Sequence, residues 1–402
     1  MRQWLQKILL VLAGIIFALV LCEAGLRLLG IGYPQFYDFD PQVGAKLRPG
    51  MTGYWSDEGG GYVSINSAGL RDREHAIKKP PKTLRIAVLG DSYTEALQVN
   101  RKEAFCAVLE KQLQGCANLR GRKIEVINFG QAGIGTTQEL LALRDRVWKY
   151  SPDIILLAFC TGNDISDNSP ALNNREAIPF YVLKDGKLVL DDSRVKSYGE
   201  RYASIKKKFG WRYDFYRWRQ DTFRVVQLGQ HVQKIVEDWW SAGEPGKQTG
   251  SVKPGSVEPG MFMGVYREPS DEVWKEAWQV TEAVLLQMRD EVARKGARLY
   301  VVALSNDIQV HPDESVRNKF ARCPGIADVF YPDKRLEKFC QSHGIPVLLL
   351  APSFQKYAAR HHIFLHGFHT LFRNTLGSGH WNQNGHRLAG ETIAEWLCPQ
   401  IN

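Results

Sequence analysis

The sequence contains no CxxC pair, although it has seven cysteines in 402 residues. Structural zinc sites usually bring cysteines together with that spacing, so the sequence does not indicate one. Six of the cysteines lie beyond the N-terminal apolar segment, and an even number permits disulfides in an exported domain. Cys323 and Cys340 are the first pair to test, with buried free thiols as the alternative.

The sequence also lacks a recognisable nucleic-acid-binding module. Its formal net charge is +9, but the basic residues are scattered along the chain. Such a charge suits a protein that lies near an anionic membrane or polymer. We therefore predict a membrane as a partner and no nucleic acid.

One unbroken apolar run, Ile8 to Cys22, lies near the N-terminus and follows Arg2 and Lys7. We predict that residues 1–30 form an uncleaved signal anchor with a single transmembrane helix. The positive N-terminus then stays inside, and the rest of the chain is periplasmic or extracellular. A cleaved signal peptide is the alternative, although "CEA" is a poor small-residue cleavage site.

The chain has no visible internal repeat, and residues 31–81 show no sustained periodicity. From residue 82, apolar runs rich in β-branched residues alternate with amphipathic helical patterns. This alternation predicts a three-layer α/β/α domain over residues 82–402, with a central parallel sheet of about five strands. The predicted strands are "LRIAVL", "KIEVINF", "DIILLAF", "ARLYVVAL" and "IPVLLL".

The alternation is interrupted at about residues 165–270, which we interpret as an insertion. "FYVLKDGKLVL" predicts a β-hairpin around its Asp-Gly pair. Residues 211–240, aromatic and basic, predict one or two helices, and residues 241–260 form a Gly/Pro/Ser-rich loop. The helices are interpreted as amphipathic packing elements; alternatives are a wall or lid of a binding cleft, or a face on the bilayer.

Polar and glycine-rich segments follow three of the predicted strands, and another precedes the closing helix. They read "GDS" at 90–92, "NFGQAGIGTT" at 128–137, "CTGND" at 160–164 and "GSGHW" at 377–381. Ligands of parallel α/β sheets bind at the carboxyl ends of the strands, so these segments are expected to meet at one edge.

Acyl transfer needs these residue types together. A serine hydroxyl is a weak nucleophile, so His380 is predicted to take the proton from Ser92. Backbone N–H groups of Ser92 and Gly133, with the Asn163 amide, are predicted to stabilise the oxyanion.

The four segments resemble the blocks of the SGNH hydrolases, also called the GDSL esterase/lipase family. The blocks occur in the family order, as "GDSYTE", "NFGQAG", "TGND" and "HWNQNGH". The resemblance covers residues 82–396 apart from the insertion. It implies a flavodoxin-like fold, Ser92 as nucleophile, His380 as base, and Gly133 and Asn163 in the oxyanion hole. Family members mostly cleave esters, including acetyl esters on sugars, and some transfer acetyl groups.

Two positions depart from the family pattern. Tyr93 follows the serine where the family name has Leu, which is a mild variation. Gly377 stands three residues before the histidine, where the family usually places the Asp that orients the imidazole. No Asp follows Asp333. The partner of His380 is therefore expected to be a backbone carbonyl, a water, or an acid from elsewhere such as Asp307.

Other polar residues near these blocks are assigned supporting or substrate-lining roles. Asp91 is expected to brace the turn, and Glu95 to cap the next helix or line the cleft. His366 or His369 is expected to touch substrate, while His386 is structural. Asp164 and Asn382 complete the predicted set.

A metal site is conceivable at His362 and His366, which have i, i+4 spacing. "RHHIFLHGFHT" lacks the Glu of the helical zinc motif, and Gly367 weakens a helix, so we predict no metal. "GQAGIGTT" lacks the P-loop Lys, and no cofactor is predicted.

The predicted function is an extracytoplasmic serine ester hydrolase working through an acyl-enzyme on an ester-bearing substrate, such as an acylated polysaccharide. The alternatives are an O-acetyltransferase acting on cell-envelope polysaccharide and a non-catalytic carbohydrate-binding relative.

Overall fold

The computed structural model describes residues 2–241, 263–370 and 374–401. The β-strands in these ranges are β1 Tyr37–Asp40, β2 Gly44–Leu47, β3 Thr52–Tyr54, β4 Tyr62–Ser64, β5 Thr83–Gly90, β6 Lys123–Asn128, β7 Ile154–Cys160, β8 Phe180–Lys184, β9 Lys187–Asp191, β10 Arg298–Leu304 and β11 Val347–Leu349. The α-helices are α1 Arg2–Leu28, α2 Ser92–Glu95, α3 Phe105–Gln114, α4 Thr136–Asp145, α5 Asp164–Asp167, α6 Ser193–Phe209, α7 Trp211–Thr222, α8 Arg224–Ser241, α9 Glu272–Arg294, α10 Asp307–Val310, α11 Glu314–Ala321, α12 Tyr331–Ser342, α13 Ala351–His361 and α14 Gln383–Leu397.

The central sheet has five parallel strands in the order β11-β10-β7-β5-β6. Read from the β6 edge and numbered by their order along the chain, these strands run 2-1-3-4-5, which is the doubly wound flavodoxin-like order. Every residue of β5 and β7 is buried, as their continuous apolar runs predict. The predicted fold class is confirmed.

Helices cover both faces of this sheet. Alternate residues of β5 face opposite ways, so Ile86 joins one apolar cluster and Ala87 the other. The first cluster includes Phe105 of α3 and Phe354 of α13, and the second includes Trp278 of α9. The three predicted layers are therefore present.

Residues 31–81 form two small antiparallel pairs, β1 with β2 and β3 with β4. Their apolar cluster contains Phe36, Leu47 and Val63, and it also takes in Leu97. Leu97 follows α2 closely, so this N-terminal segment packs directly beside the turn that carries Ser92. The division of the chain into anchor, extension and hydrolase domain stays a prediction.

The predicted hairpin in the insertion is confirmed, because β8 pairs with β9 in an antiparallel register around Asp185 and Gly186. The aromatic and basic segment forms two helices, α7 and α8. Of the predicted Gly/Pro/Ser-rich loop at 241–260, the part beyond Ser241 lies outside the described residues.

Helix α1 is long and apolar enough to cross a membrane, and its most apolar window has a mean hydropathy of 2.6. No residue of that window is buried. A signal sequence has the same properties, so length and composition do not distinguish an anchor from a cleaved leader.

The structure contains one disulfide among the described cysteines, between Cys116 and Cys398. Cys323 and Cys340, the first pair to test, are not bonded to each other, and both are free thiols, as the alternative expected. Cys340 is buried in the sheet core, whereas Cys323 packs in a separate cluster with Phe320.

The disulfide closes a loop with a sequence separation of 282 residues. We expect that replacing both cysteines by serine lowers the free energy of unfolding by about 2 to 4 kcal/mol, since the unfolded chain regains freedom. Urea unfolding would measure the difference, with Cys323→Ser as the control. An unchanged midpoint for the double variant would contradict the expectation.

Candidate active site

Ser92 is the first residue of α2, directly after β5. Asp91 caps this helix, and its Oδ1 accepts the backbone N–H of Tyr93 at 2.9 Å. Asp91 is fully buried, and burial raises the pKa of its carboxyl. Asp91 thus braces the turn and holds Ser92, which is half-buried, at the carboxyl end of the strand.

His380 lies immediately before α14 and reaches Ser92 across 288 residues of sequence. Its Nε2 is 2.8 Å from Ser92 Oγ, which is a hydrogen-bond distance. The ring of Tyr93 supports the imidazole, with ring centroids 4.9 Å apart. The two blocks identified in the sequence therefore meet as a serine–histidine pair.

The other side of the imidazole contacts Glu58, which the sequence analysis did not single out. His380 Nδ1 is 2.5 Å from Glu58 Oε2, and the backbone N–H of His380 donates to Glu58 Oε1 at 3.0 Å. One carboxylate thus holds both the ring and the backbone of the histidine. Both side chains are largely buried, at 26% and 19% exposed.

Glu58 lies in the loop between β3 and β4, within the sequence "EGGG". Gly59 has a φ of +74°, and a Cβ there would overlap the carbonyl of Gln98. A Cβ on Gly61 would lie 2.5 Å from the carbonyl oxygen of Val99. The glycines let this loop press against the backbone that follows α2, which brings Glu58 beside His380.

The structure explains why no acid stands at position 377. Gly377 has a φ of +85°, and a Cβ there would lie 2.6 Å from Nε2 of His311. Phe364 closes the same space at 3.0 Å. An Asp side chain at this position would therefore meet both rings in a conformation that favours glycine.

The partner of the imidazole is an acid from elsewhere in the chain, as one of the expected alternatives had it, but this acid is Glu58 and not Asp307. Its Oδ2 accepts the backbone N–H of Gly379 at 3.4 Å, and its Oδ1 accepts that of Ile308. Burial raises the pKa of Asp307 to about 7. Asp307 holds the loop that carries His380, one residue away from it.

The predicted oxyanion donors are Ser92, Gly133 and Asn163, of which Asn163 is bonded to Asp91, the residue before Ser92. The Ser92 N–H is at the start of α2, where helical N–H groups have no partner within the helix. Gly133 has a φ of +75°, and Arg175 donates to its carbonyl oxygen. The Nδ2 of Asn163 donates to Asp91 Oδ2 at 3.1 Å and to Asp167 Oδ2 at 3.3 Å.

Glu95 and Asp164 do not line an open cleft, contrary to the substrate-lining alternative. Glu95 is buried, its Oε2 accepts the hydroxyl of Tyr37 at 2.5 Å, and burial raises its pKa to about 7. Asp164 is buried and accepts the backbone N–H of Cys160 at 2.8 Å. Burial, with the neighbouring charge of Glu139, raises the pKa of Asp164 well above its usual value.

His366 does not reach substrate, because it is buried and both ring nitrogens are bonded. Burial lowers its pKa to about 3, so the ring is neutral. Its Nδ1 donates to the carbonyl of Gly379 at 2.7 Å, and its Nε2 accepts from Ser305 at 3.2 Å. His366 therefore fixes the peptide that precedes His380.

The remaining predicted residues fall outside the contact between Ser92 and His380. Asn382 caps α14 and donates its amide to the carbonyls of Phe364 and Gly367, so it supports the loop. His386 is buried in α14. His369 is exposed, and its contact with substrate stays a prediction.

His362 and His366 do not share a helix face. His362 ends α13 in a left-handed conformation with a φ of +53° and is exposed, whereas His366 is buried beyond the helix. The i, i+4 spacing therefore does not correspond to one turn of helix here.

No protein-family model and no curated protein matches this sequence. The similar solved structures include G-D-S-L lipolytic proteins, acylhydrolases and acetyl xylan esterases. An acetyl xylan esterase is 10% identical with a TM-score of 0.37, over 78% of this chain and 100% of its own. A lipase/acylhydrolase from Enterococcus faecalis is 12% identical with a TM-score of 0.38, over 79% of this chain and 97% of its own. A lipolytic G-D-S-L protein from Veillonella parvula is 10% identical with a TM-score of 0.35, over 78% of this chain and 97% of its own.

Proposed function

We propose that this chain is a serine ester hydrolase of the SGNH type. The observation that carries the proposal is the continuous contact from Ser92 Oγ to His380 Nε2, and from His380 Nδ1 to Glu58. A nucleophile, a base and an orienting acid in this order are what acyl transfer requires. Two of the similar solved structures named above are described as an acetyl xylan esterase and a lipase/acylhydrolase, and both descriptions name acyl hydrolysis.

In the proposed reaction, Ser92 Oγ attacks the acyl carbon while His380 Nε2 takes the hydroxyl proton. Glu58 stabilises the resulting imidazolium through Nδ1–H and keeps the ring in the tautomer that can accept at Nε2. The imidazolium then gives its proton to the leaving alcohol. Water, activated by the neutral imidazole, cleaves the ester bond of the acyl-enzyme and restores the serine.

The developing oxyanion is proposed to bind the N–H groups of Ser92 and Gly133. The side-chain amide of Asn163 donates two hydrogen bonds, and the longer one goes to Asp167. Asn163 joins the oxyanion donors when this hydrogen bond is exchanged for one to the oxyanion. Burial raises the pKa of Asp167 to about 6, which weakens its hold on the amide in mildly acidic solution. The bond to Asp91 keeps the amide beside Ser92 during this exchange.

The main support for a non-catalytic role was the glycine at position 377, where an orienting acid was expected. This support is lost, because His380 has an acid partner in Glu58. Transfer of the acyl group to a sugar hydroxyl would use the same three side chains, and product analysis with a polysaccharide acceptor distinguishes it from hydrolysis.

We also propose that α1 is an uncleaved anchor and that the remainder lies outside the cytoplasm. Arg2 and Lys7 before the apolar run and the disulfide support this orientation.

The proposed nucleophile is tested by covalent labelling of the full chain with a fluorophosphonate. We expect one adduct, and we expect peptide mass spectrometry to place it on Ser92. Ser92→Ala is expected to lose the label, and Ser56→Ala, an exposed serine near Glu58, to keep it. Labelling that persists in Ser92→Ala, or a folded protein that takes no label, would refute the proposal.

A further inference from the structure

The outer surface of α7 is apolar and aromatic. Trp211 is 72% exposed, Phe215 50% and Trp218 51%. Their spacing of four and three residues places them on one face of the helix. Ile205 and Phe209, near the end of α6, are also half exposed. These five residues are called the aromatic face below.

The surface of α7 that faces the protein is polar, so the apolar side chains of this helix lie on its outer surface. Arg217 pairs with Asp38 at 3.4 Å, and Asp221 of α7 binds Arg48 with both carboxylate oxygens, at 2.8 and 2.5 Å. These ion pairs orient the helix with its aromatic side outward. The apolar side chains of α7 are therefore available to an external binding partner.

Basic residues surround the aromatic face. Between residues 205 and 219 the sequence has six Lys or Arg and one acidic residue, Asp214. Arg217 pairs with Asp38 on the inner side of α7, and the five others are Lys206, Lys207, Lys208, Arg212 and Arg219. Helices that lie in a membrane interface combine aromatic anchors with such basic residues, which bind anionic lipid headgroups.

The junction of α7 and α8 is bonded to the last turn of α1. The Arg27 guanidinium donates to the carbonyl of Thr222 at 2.5 Å, and Glu23 Oε2 accepts the backbone N–H of Val225 at 2.9 Å. Arg224 donates back to the carbonyl of Leu26. Since α1 is the candidate membrane span, its last turn places this junction at the membrane surface.

We propose that the aromatic face rests on an anionic lipid bilayer, with its rings at the headgroup level. Two tryptophans and a phenylalanine exposed together on one ordered helix mark an interaction surface. The lipid surface is the partner that α1 brings into reach, and its charge is opposite to that of the surrounding lysines and arginines. Contact through α1 and the aromatic face together fixes the height of the catalytic domain above the bilayer.

The test uses the full chain, one copy per lipid nanodisc, in a Cys22→Ser, Cys323→Ser background. An environment-sensitive fluorophore is attached at Phe215→Cys and, separately, at Trp218→Cys. Ile77→Cys is the matched control, because Ile77 is an apolar residue that is 60% exposed and lies beside β5, where its carbonyl accepts from Arg85. Nitroxide lipids in phosphatidylcholine with a minor fraction of phosphatidylglycerol quench fluorophores that touch the bilayer.

We expect quenching at positions 215 and 218 to exceed that at position 77 by about threefold or more, and to weaken when phosphatidylglycerol is omitted. Equal quenching at all three positions in folded protein would overturn the proposal. So would a fluorophore at 215 that stays in water in single-copy discs but becomes shielded when two copies share a disc. That outcome would identify the aromatic face as a contact between copies.

Discussion

Replacing Glu58 by glutamine is expected to lower kcat on a short acyl ester by about 10³- to 10⁴-fold. Glutamine has nearly the same shape, but its amide can donate to Nδ1 and thereby favour the tautomer that carries its proton on Nε2. In that tautomer His380 cannot accept the proton of Ser92, to which its Nε2 is bonded at 2.8 Å. The loss of the carboxylate also leaves the imidazolium unstabilised in the transition state.

The control for this variant is Asp57→Asn, which removes a neighbouring carboxylate from the same loop. Asp57 pairs with Lys234 at the surface, and we expect the kcat of Asp57→Asn to remain close to that of the wild type. Glu58→Asp keeps the charge but is one methylene shorter, so an intermediate kcat is expected. If Glu58→Gln kept a tenth or more of the wild-type kcat while remaining folded, His380 would not depend on this acid.

The fold and the serine–histidine pair could be predicted because their signals are local. Continuous apolar strands alternating with amphipathic helices specify a parallel sheet, and the strand ends then specify one edge. Ser92 sits in a short motif at such a strand end, and His380 sits in a short motif just before the closing helix. The order of these motifs along the chain matches the resembled pattern, which is why their contact across 288 residues could be predicted.

Glu58 could not be found in the same way, because its position depends on how one loop packs. The contact with His380 spans 322 residues, and its structural cause is the backbone packing of Gly59 and Gly61 on the chain after α2. Three consecutive glycines after an acid, in the segment before the first core strand, were the available signal. The disulfide between Cys116 and Cys398 is a similar case, since it joins residues that only the tertiary fold brings together.

The residues for which the substrate-lining alternative fails share one property, which is burial of a titratable group. His366, Glu95 and Asp164 are polar and close to the motifs, so the sequence left both a supporting and a substrate-lining role open. Each is buried and bonded to backbone or to another side chain within the protein. Sequence spacing does not report which side of a loop a side chain occupies, and that choice decides between substrate contact and support.

Introducing an acid three residues before His380, as Gly377→Asp, is expected to destabilise the fold by about 3 to 5 kcal/mol. A left-handed φ costs a non-glycine residue about 1 to 2 kcal/mol. Overpacking against His311 and Phe364 adds about 1 to 3 kcal/mol, and burying a carboxylate there adds more. Urea unfolding measures the change, and Gly377→Ala, which adds no charge, is expected to show a smaller loss.

Gly377→Asp also tests whether the acid that orients His380 can be supplied from position 377 instead of position 58. In a Glu58→Gln background, Gly377→Asp is expected to leave kcat at the reduced value, because the space beside residue 377 is taken by His311 rather than by the imidazole of His380. Recovery of activity in the double variant would show that the loop can rearrange to bring the new carboxylate to Nδ1. Without recovery, the acid from the β3–β4 loop is the one that this backbone can accommodate, and the glycine at 377 is a consequence of the packing around it.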